Sequence, residues 1–268
     1  MQHKNMKRTH RARAFRLICC CIACALLVGA VLSAAADPQD KTSKAKQPLA
    51  TTEKMDESKV IEARYVRTDF AVNDFDNPAW QQAQPVKIER YWSGASAPVE
   101  RQAEARLLWT DAALYVRFVA RQGEPLVVSA KPQFDRKTMG LWDRDVCELF
   151  VAPNANEPER YFEFEVAPTG EWLDARLHQL PDRRESDFDY HSGATFAART
   201  AKDAVTLMMR VPWAALGGAP QTDARWRANL YRCVGQDPTR GYLAWQPTLA
   251  PQPNFHVPQR FGWLHFKR

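Results

Sequence analysis

The chain has 268 residues, 45% of them hydrophobic, with 37 Lys and Arg against 31 Asp and Glu and a formal net charge of +6. All six surplus cations, Lys4, Lys7, Arg8, Arg11, Arg13 and Arg16, precede Leu17, so the rest of the chain carries 31 of each sign. That balance excludes a nucleic-acid partner, because counterion release needs a local excess of Lys and Arg.

In chain order, the first predicted element is a secretory leader, residues 1–36. Its basic start is followed by an uncharged apolar run from Leu17 to Leu32, about 16 residues, short for a bilayer span. Ser33, Ala34, Ala35 and Ala36 then supply the small side chains of a cleavage site after Ala36. The chain is therefore expected to be secreted or periplasmic, with no transmembrane span after cleavage. Four of the six cysteines, Cys19, Cys20, Cys21 and Cys24, lie in the leader. Cys147 and Cys233 remain, and their strand-like surroundings suit either a disulfide or two buried thiols.

Residues 37–59 are polar, without a repeating apolar face, and read as a flexible linker. Residues 60–268 read as one all-β domain. Apolar side chains recur at every second position in Leu114, Val116, Phe118, in Phe162, Phe164, Val166, and in Val205, Leu207, Met209, Val211. This is the period of strands with one face on a core. Further strands are expected over 61–67, 86–90, 104–109, 146–151, 171–179, 225–234, 242–245 and 261–266. Pro, Gly, Asn and Asp clusters separate them. Helical stretches are short, over 78–83 and 212–216. The pattern predicts an antiparallel β-sandwich.

No glycine-rich phosphate loop, zinc-binding histidine helix or serine elbow is present. Glu163 and Glu165 share one face of a strand, with Cα atoms about 6.5–7 Å apart, a spacing relevant to two-carboxylate glycoside hydrolysis. The favoured reading is a solvated or cross-strand-paired acidic face. A second cluster runs from Trp142 through Asp145 to Glu148, Leu149 and Phe150. An indole at a strand entry beside an inward carboxylate suits a sugar: the ring packs on C–H groups and the carboxylate accepts from hydroxyls. Near the C-terminus, prolines around Asn254, Phe255 and His256 would hold an aromatic wall at low entropic cost. Trp80, Trp109, Trp213, Trp226 and Trp263 read as core.

Taken in order, Asp74 to Trp80, Leu108 to Val116, Trp142 to Phe150, and Trp245 with Phe255 to Gly262 resemble carbohydrate-binding module family 9, in the wider group of sandwiches that includes the DOMON domains. The resemblance spans most of residues 60–268. It implies a non-catalytic jelly-roll or DOMON-like sandwich in which two aromatic rings clamp a terminal sugar of a mono- or oligosaccharide. Carried over by motif, the clamps fall on Trp142 and Phe255 and the hydroxyl-binding glutamate on Glu148. Asn229, Arg232, Arg240 and His256 are further ligand-binding candidates. The chain departs from characterised xylan-degrading members at Phe255, where they carry Trp, and at the Phe162–Glu165 strand, near where they carry Arg. The family also implies a structural calcium ion, with no ligand set assigned here, and cooperation with glycoside hydrolases. Two alternatives of other function classes stand beside this reading. One is an O-glycosyl hydrolase using Glu148, Glu163 or Glu165. The other is a haem-binding domain with axial candidates Met139, Met208, Met209 and His256, with Met208 facing outward on its strand.

Overall fold

A computed structural model describes Asp56 and residues 59–268. The predicted leader and nearly all of the linker lie outside the described residues. Among the described residues no helix is long and apolar enough to cross a membrane. Fourteen strands form the domain: β1 (Val60–Tyr65), β2 (Val86–Ile88), β3 (Arg90–Tyr91), β4 (Ala103–Trp109), β5 (Ala113–Arg121), β6 (Val146–Ala152), β7 (Arg160–Val166), β8 (Trp172–Gln179), β9 (Arg184–Asp187), β10 (Thr195–Thr200), β11 (Ala204–Pro212), β12 (Arg225–Val234), β13 (Gly241–Ala244) and β14 (Gly262–Lys267). The helical segments are single 3-10 turns, including Pro78–Gln82 and Trp213–Leu216. The expected all-β class and the main strands are as read from the period of two. The expectation missed β3, β9 and β10, which are short or polar.

The main path of the sheet runs β10-β11-β5-β4-β1-β14-β12-β6-β7-β8-β9. One pairing scheme departs from the antiparallel expectation: β1 is parallel to both of its neighbours, β14 and β4. The sheet curls so that its two halves share a core. Leu107, Val116, Phe118, Leu207 and Met209 from one half belong to the same buried cluster as Leu149, Phe164, Val166 and Leu230 from the other. Burying each large apolar side chain contributes about 1.5–3 kcal/mol, so this shared core dominates stability.

The outer faces are also covered. Outside β4, β5 and β11, Trp80, Leu108, Tyr115 and Met208 form a second cluster. Met208 is therefore fully buried rather than outward-facing, because the segment around Pro78–Gln82 folds over its strand. Outside β6, β7, β8 and β12 lies a third cluster with Phe150, Tyr161, Leu173, Tyr231, Cys233 and Phe255. Cys147 belongs to the central core and Cys233 to this third cluster, so the two thiols lie on opposite faces of the sheet and remain free. Burial pushes the Cys147 thiol up to about 12. Trp80, Trp109, Trp213 and Trp226 are buried as expected, whereas Trp263 is half-buried under the Arg227 guanidinium, 4.7 Å from its ring. Gly262 starts β14 where a Cβ would lie 2.3 Å from the Trp245 ring, so only glycine lets the strand pass under that indole.

Candidate functional site

The third cluster floors a solvent-open cavity of about 270 Å³. The register of three strands builds its floor. Glu148 on β6 stands opposite Tyr231 on β12 and opposite Glu165 on β7, and Phe150 stands opposite Glu163. Alternation therefore brings Glu148, Glu163 and Glu165 to one face. A β-strand normally leaves one face to water, but here the turn at Leu141–Asp143, strand β9 and the segment 253–256 cover it. Their walls are Trp142, Arg184, Ser186, Phe188, Tyr242, Asn254, Phe255 and His256.

Each wall has a local cause. Gly140, at φ +74°, turns the backbone into the 3-10 turn that carries Trp142 to the mouth, where its side chain is 39% exposed. Its ring lies 6.1 Å from that of Phe188 at an interplanar angle of 31°. Arg240 braces this turn by donating to the carbonyls of Trp142 (2.7 Å), Arg144 (2.6 Å) and Gly235 (2.7 Å). Phe255 stacks on Tyr231 at 4.1 Å and 12°, and the Tyr231 hydroxyl donates to the Phe255 carbonyl at 2.9 Å. Burial holds the His256 imidazole down to about 3, so it stays neutral, and its Nδ1 shares a hydrogen bond of 2.8 Å with the Tyr161 hydroxyl.

The structure sorts the candidates. Trp142, Glu148, Phe255 and His256 meet at the cavity. Asn229 does not line it: its amide donates to Tyr231 Oη and the Gln246 carbonyl, both at 2.8 Å, and its oxygen accepts from the Leu230 and Gln246 amides. Arg232 is removed from the site, since it alternates with Tyr231 and Cys233. It points to the other face, donating to the carbonyls of Arg101 and Gln102 and to Gln122 Oε1. Arg240 acts on the site through the turn it braces.

The reading of Glu163 and Glu165 as a solvated or paired acidic face is overturned. Glu163 is 5% exposed and Glu165 0%, because both faces of β7 are covered, and the residue paired with Glu165 across the strands is another glutamate, Glu148. Oxygens of Glu148, Glu163 and Glu165 all lie within 4.8 Å of one another. Desolvation is the main cause that raises all three carboxyls, with mutual repulsion adding for Glu148 and Glu165; Glu163 rises to about 7. Among the described residues this is the one acidic, histidine or cysteine trio close enough to share a metal ion. Calcium takes about 6–8 oxygens. Three carboxylates reach the lower figure only if all bind bidentate; the lining also holds the Cys233 thiol, aromatic rings, the Arg184 cation and, as further oxygen donors, Asp143 and Ser186. The haem candidates do not gather: Met208 and Met209 are buried in two different clusters, while His256 lines the cavity.

Residues that sequence reasoning did not single out for the site are Phe188, Arg184, Ser186, Tyr242 and Cys233. Arg184 and Ser186 lie on β9, whose polar sequence Arg184–Asp187 carries no apolar alternation.

A family model described as carbohydrate family 9 binding domain-like matches residues 73–268. No curated protein matches the chain. Among solved structures, a proposed carbohydrate-binding protein from Bacteroides uniformis is similar with a TM-score of 0.62 at 17% identity, covering 78% of this chain and 99% of that one. A family 9 carbohydrate-binding module from Caldicellulosiruptor kristjanssonii, in complex with cellotriose, is similar with a TM-score of 0.56 at 16% identity over 78% of this chain and 94% of that one. Its complex with glucose gives 0.55 at 16% identity over 78% and 96%. At these identities the likeness establishes the fold.

Proposed function

Because the chain belongs to the carbohydrate family 9 binding domain-like family, we propose that it is a non-catalytic carbohydrate-binding protein whose cavity takes a terminal sugar. The observation that carries this is the exposed Trp142 indole at the mouth of a cavity floored by the Glu148 carboxylate. An aromatic face covers the C–H side of a pyranose while a carboxylate accepts from its hydroxyls. Phe255, largely buried, also lines the cavity, set by its stack on Tyr231. The neighbours solved with cellotriose and with glucose support the same ligand class. The basic, then apolar, first 36 residues support export, to the periplasm or outside the cell, where the domain would work beside glycoside hydrolases. Trp142→Ala should lower affinity for cello-oligosaccharides by about tenfold or more in isothermal titration, with an unchanged circular dichroism spectrum. Unchanged affinity would remove the cavity from sugar binding.

One observation favours a second reading, glycoside hydrolysis. Burial raises Glu163 to about 7, a value suited to a general acid, and Glu148 stands close by. Oxygens within 4.8 Å leave no room for the water that an inverting pair, about 6.5–9.5 Å apart, would hold between them. Reducing-sugar release that is lost in Glu163→Gln or Glu148→Gln would establish this reading over the first.

A further inference from the structure

Glu148 and Glu163 line the cavity, and Glu165 lies fully buried behind them with an oxygen within 4.8 Å of each; the three are unlike the other buried acids of the domain. Asp145 accepts from the amides of Gly235 (2.8 Å) and Val127 (3.2 Å). Asp174 pairs with Lys137 at 2.5 Å and accepts from the Ser192 amide. Glu171 accepts from Thr138 and Thr169 and lies 3.6 Å from Arg144. Glu165, equally buried, receives no donor from outside the trio on either oxygen, and its one partner is the carboxyl of Glu163. Glu148 receives only the Cys233 thiol, at 3.6 Å. No ion pair among the described residues reaches the trio. Arg240, the cation nearest in effect to Glu148, is committed to three carbonyls, and Arg184 at the rim donates to Ser186.

Burying ionised carboxylates without donors costs several kcal/mol, so in the empty site burial favours their protonated form. A ligand that brings positively charged donors would let them ionise in place. We propose that the cavity selects a carbohydrate bearing a free, positively charged amino group, whose ammonium is held by Glu148, Glu163 and Glu165. This inference rests on the sugar-binding reading and narrows it. An ammonium offers three N–H donors for three carboxylates. Charge-assisted bonds of 2.7–2.9 Å in tetrahedral directions set the acceptor oxygens about 4.6 Å apart, and the trio's oxygens lie within 4.8 Å of one another. The walls fit the same ligand. Trp142, Phe188 and Phe255 line the same cavity and supply aromatic surface for the sugar's C–H groups. A bare metal ion would leave the cavity of about 270 Å³ above the trio without an occupant.

The test uses three β-1,4-linked disaccharides that differ at C2: cellobiose, di-N-acetylchitobiose and its de-acetylated diamine. Each is titrated calorimetrically into the full chain at pH 7, where Glu163 begins to release its proton. The diamine should bind at least about 30-fold more tightly than the other two, the least effect expected for a buried charged hydrogen-bond set. Glu165→Gln should erase most of that preference. Cellobiose or the acetylated sugar binding as tightly as the diamine would overturn the inference while leaving sugar binding intact. Affinities unaffected by Trp142→Ala would instead overturn the sugar-binding reading. Stoichiometric calcium binding by chelator-treated protein, lost in Glu165→Gln, would assign the trio to a metal and also overturn the inference. If Glu165→Gln does not fold, the comparison of three sugars on the wild type still decides.

Discussion

Glu163 shows how far a residue can depart from what its neighbours in sequence suggest. Alternation with Phe162 and Phe164 places it opposite the core face, and a half-buried strand would put that face in water. The domain instead covers it with the Trp142 turn and the Phe255 segment, both remote in sequence. The same covering lifts its carboxyl to about 7. The native state then holds its proton up to about pH 7, whereas the unfolded chain releases it near 4.5. Stability is therefore fully present below the unfolded value and is lost as pH rises through about 7. The melting temperature of the wild type should fall between pH 5 and pH 8. Glu163→Gln should flatten that fall and raise the value at pH 8 by about 2–8 °C in a thermal scan.

At the scale of elements, period two was sufficient to find β4, β5, β6, β7, β11 and β12, because each places apolar residues on the central core. It could not find β10 or β9, which carry Thr, Arg and Ser and lie at the two ends of the sheet path. The site was legible in the same unequal way. Trp142 and Glu148 belong to one turn-and-strand unit, so their association was visible in the chain. Phe188 and Tyr242 reach the cavity by tertiary covering and left no local pattern. Arg240 was read as a hydroxyl-binding candidate, and the structure gives its guanidinium to the carbonyls that hold the Trp142 turn. Arg240→Ala should weaken oligosaccharide binding by about tenfold and broaden the Trp142 indole signal in NMR, while Lys at this position restores only part of the affinity.

For the whole molecule, the critical seam is β1. It stands between β4 and β14 in the sheet path and touches β4 in register at only two residues, Arg64 and Tyr65. Both of its pairings are parallel, the arrangement that hydrophobic period cannot reveal because period reports faces and not strand direction. The shared core needs both halves held together. A chain beginning at Val66 should therefore lose cooperative thermal unfolding and near-ultraviolet dichroism, whereas removal of residues ahead of Asp56 should leave both unchanged. The same parallel neighbours have a mechanical meaning. The chain enters the domain at the start of β1 and leaves it at the end of β14, so tension drawn between those points slides the two strands lengthwise. The ladder from Val60 and Trp263 to Arg64 and Lys267 then bears the load as a unit, rung beside rung, instead of opening from one end like a zip. A binding domain held through its N-terminal side while its C-terminal side is pulled would resist in that shearing direction, the one in which a strand pair is strongest.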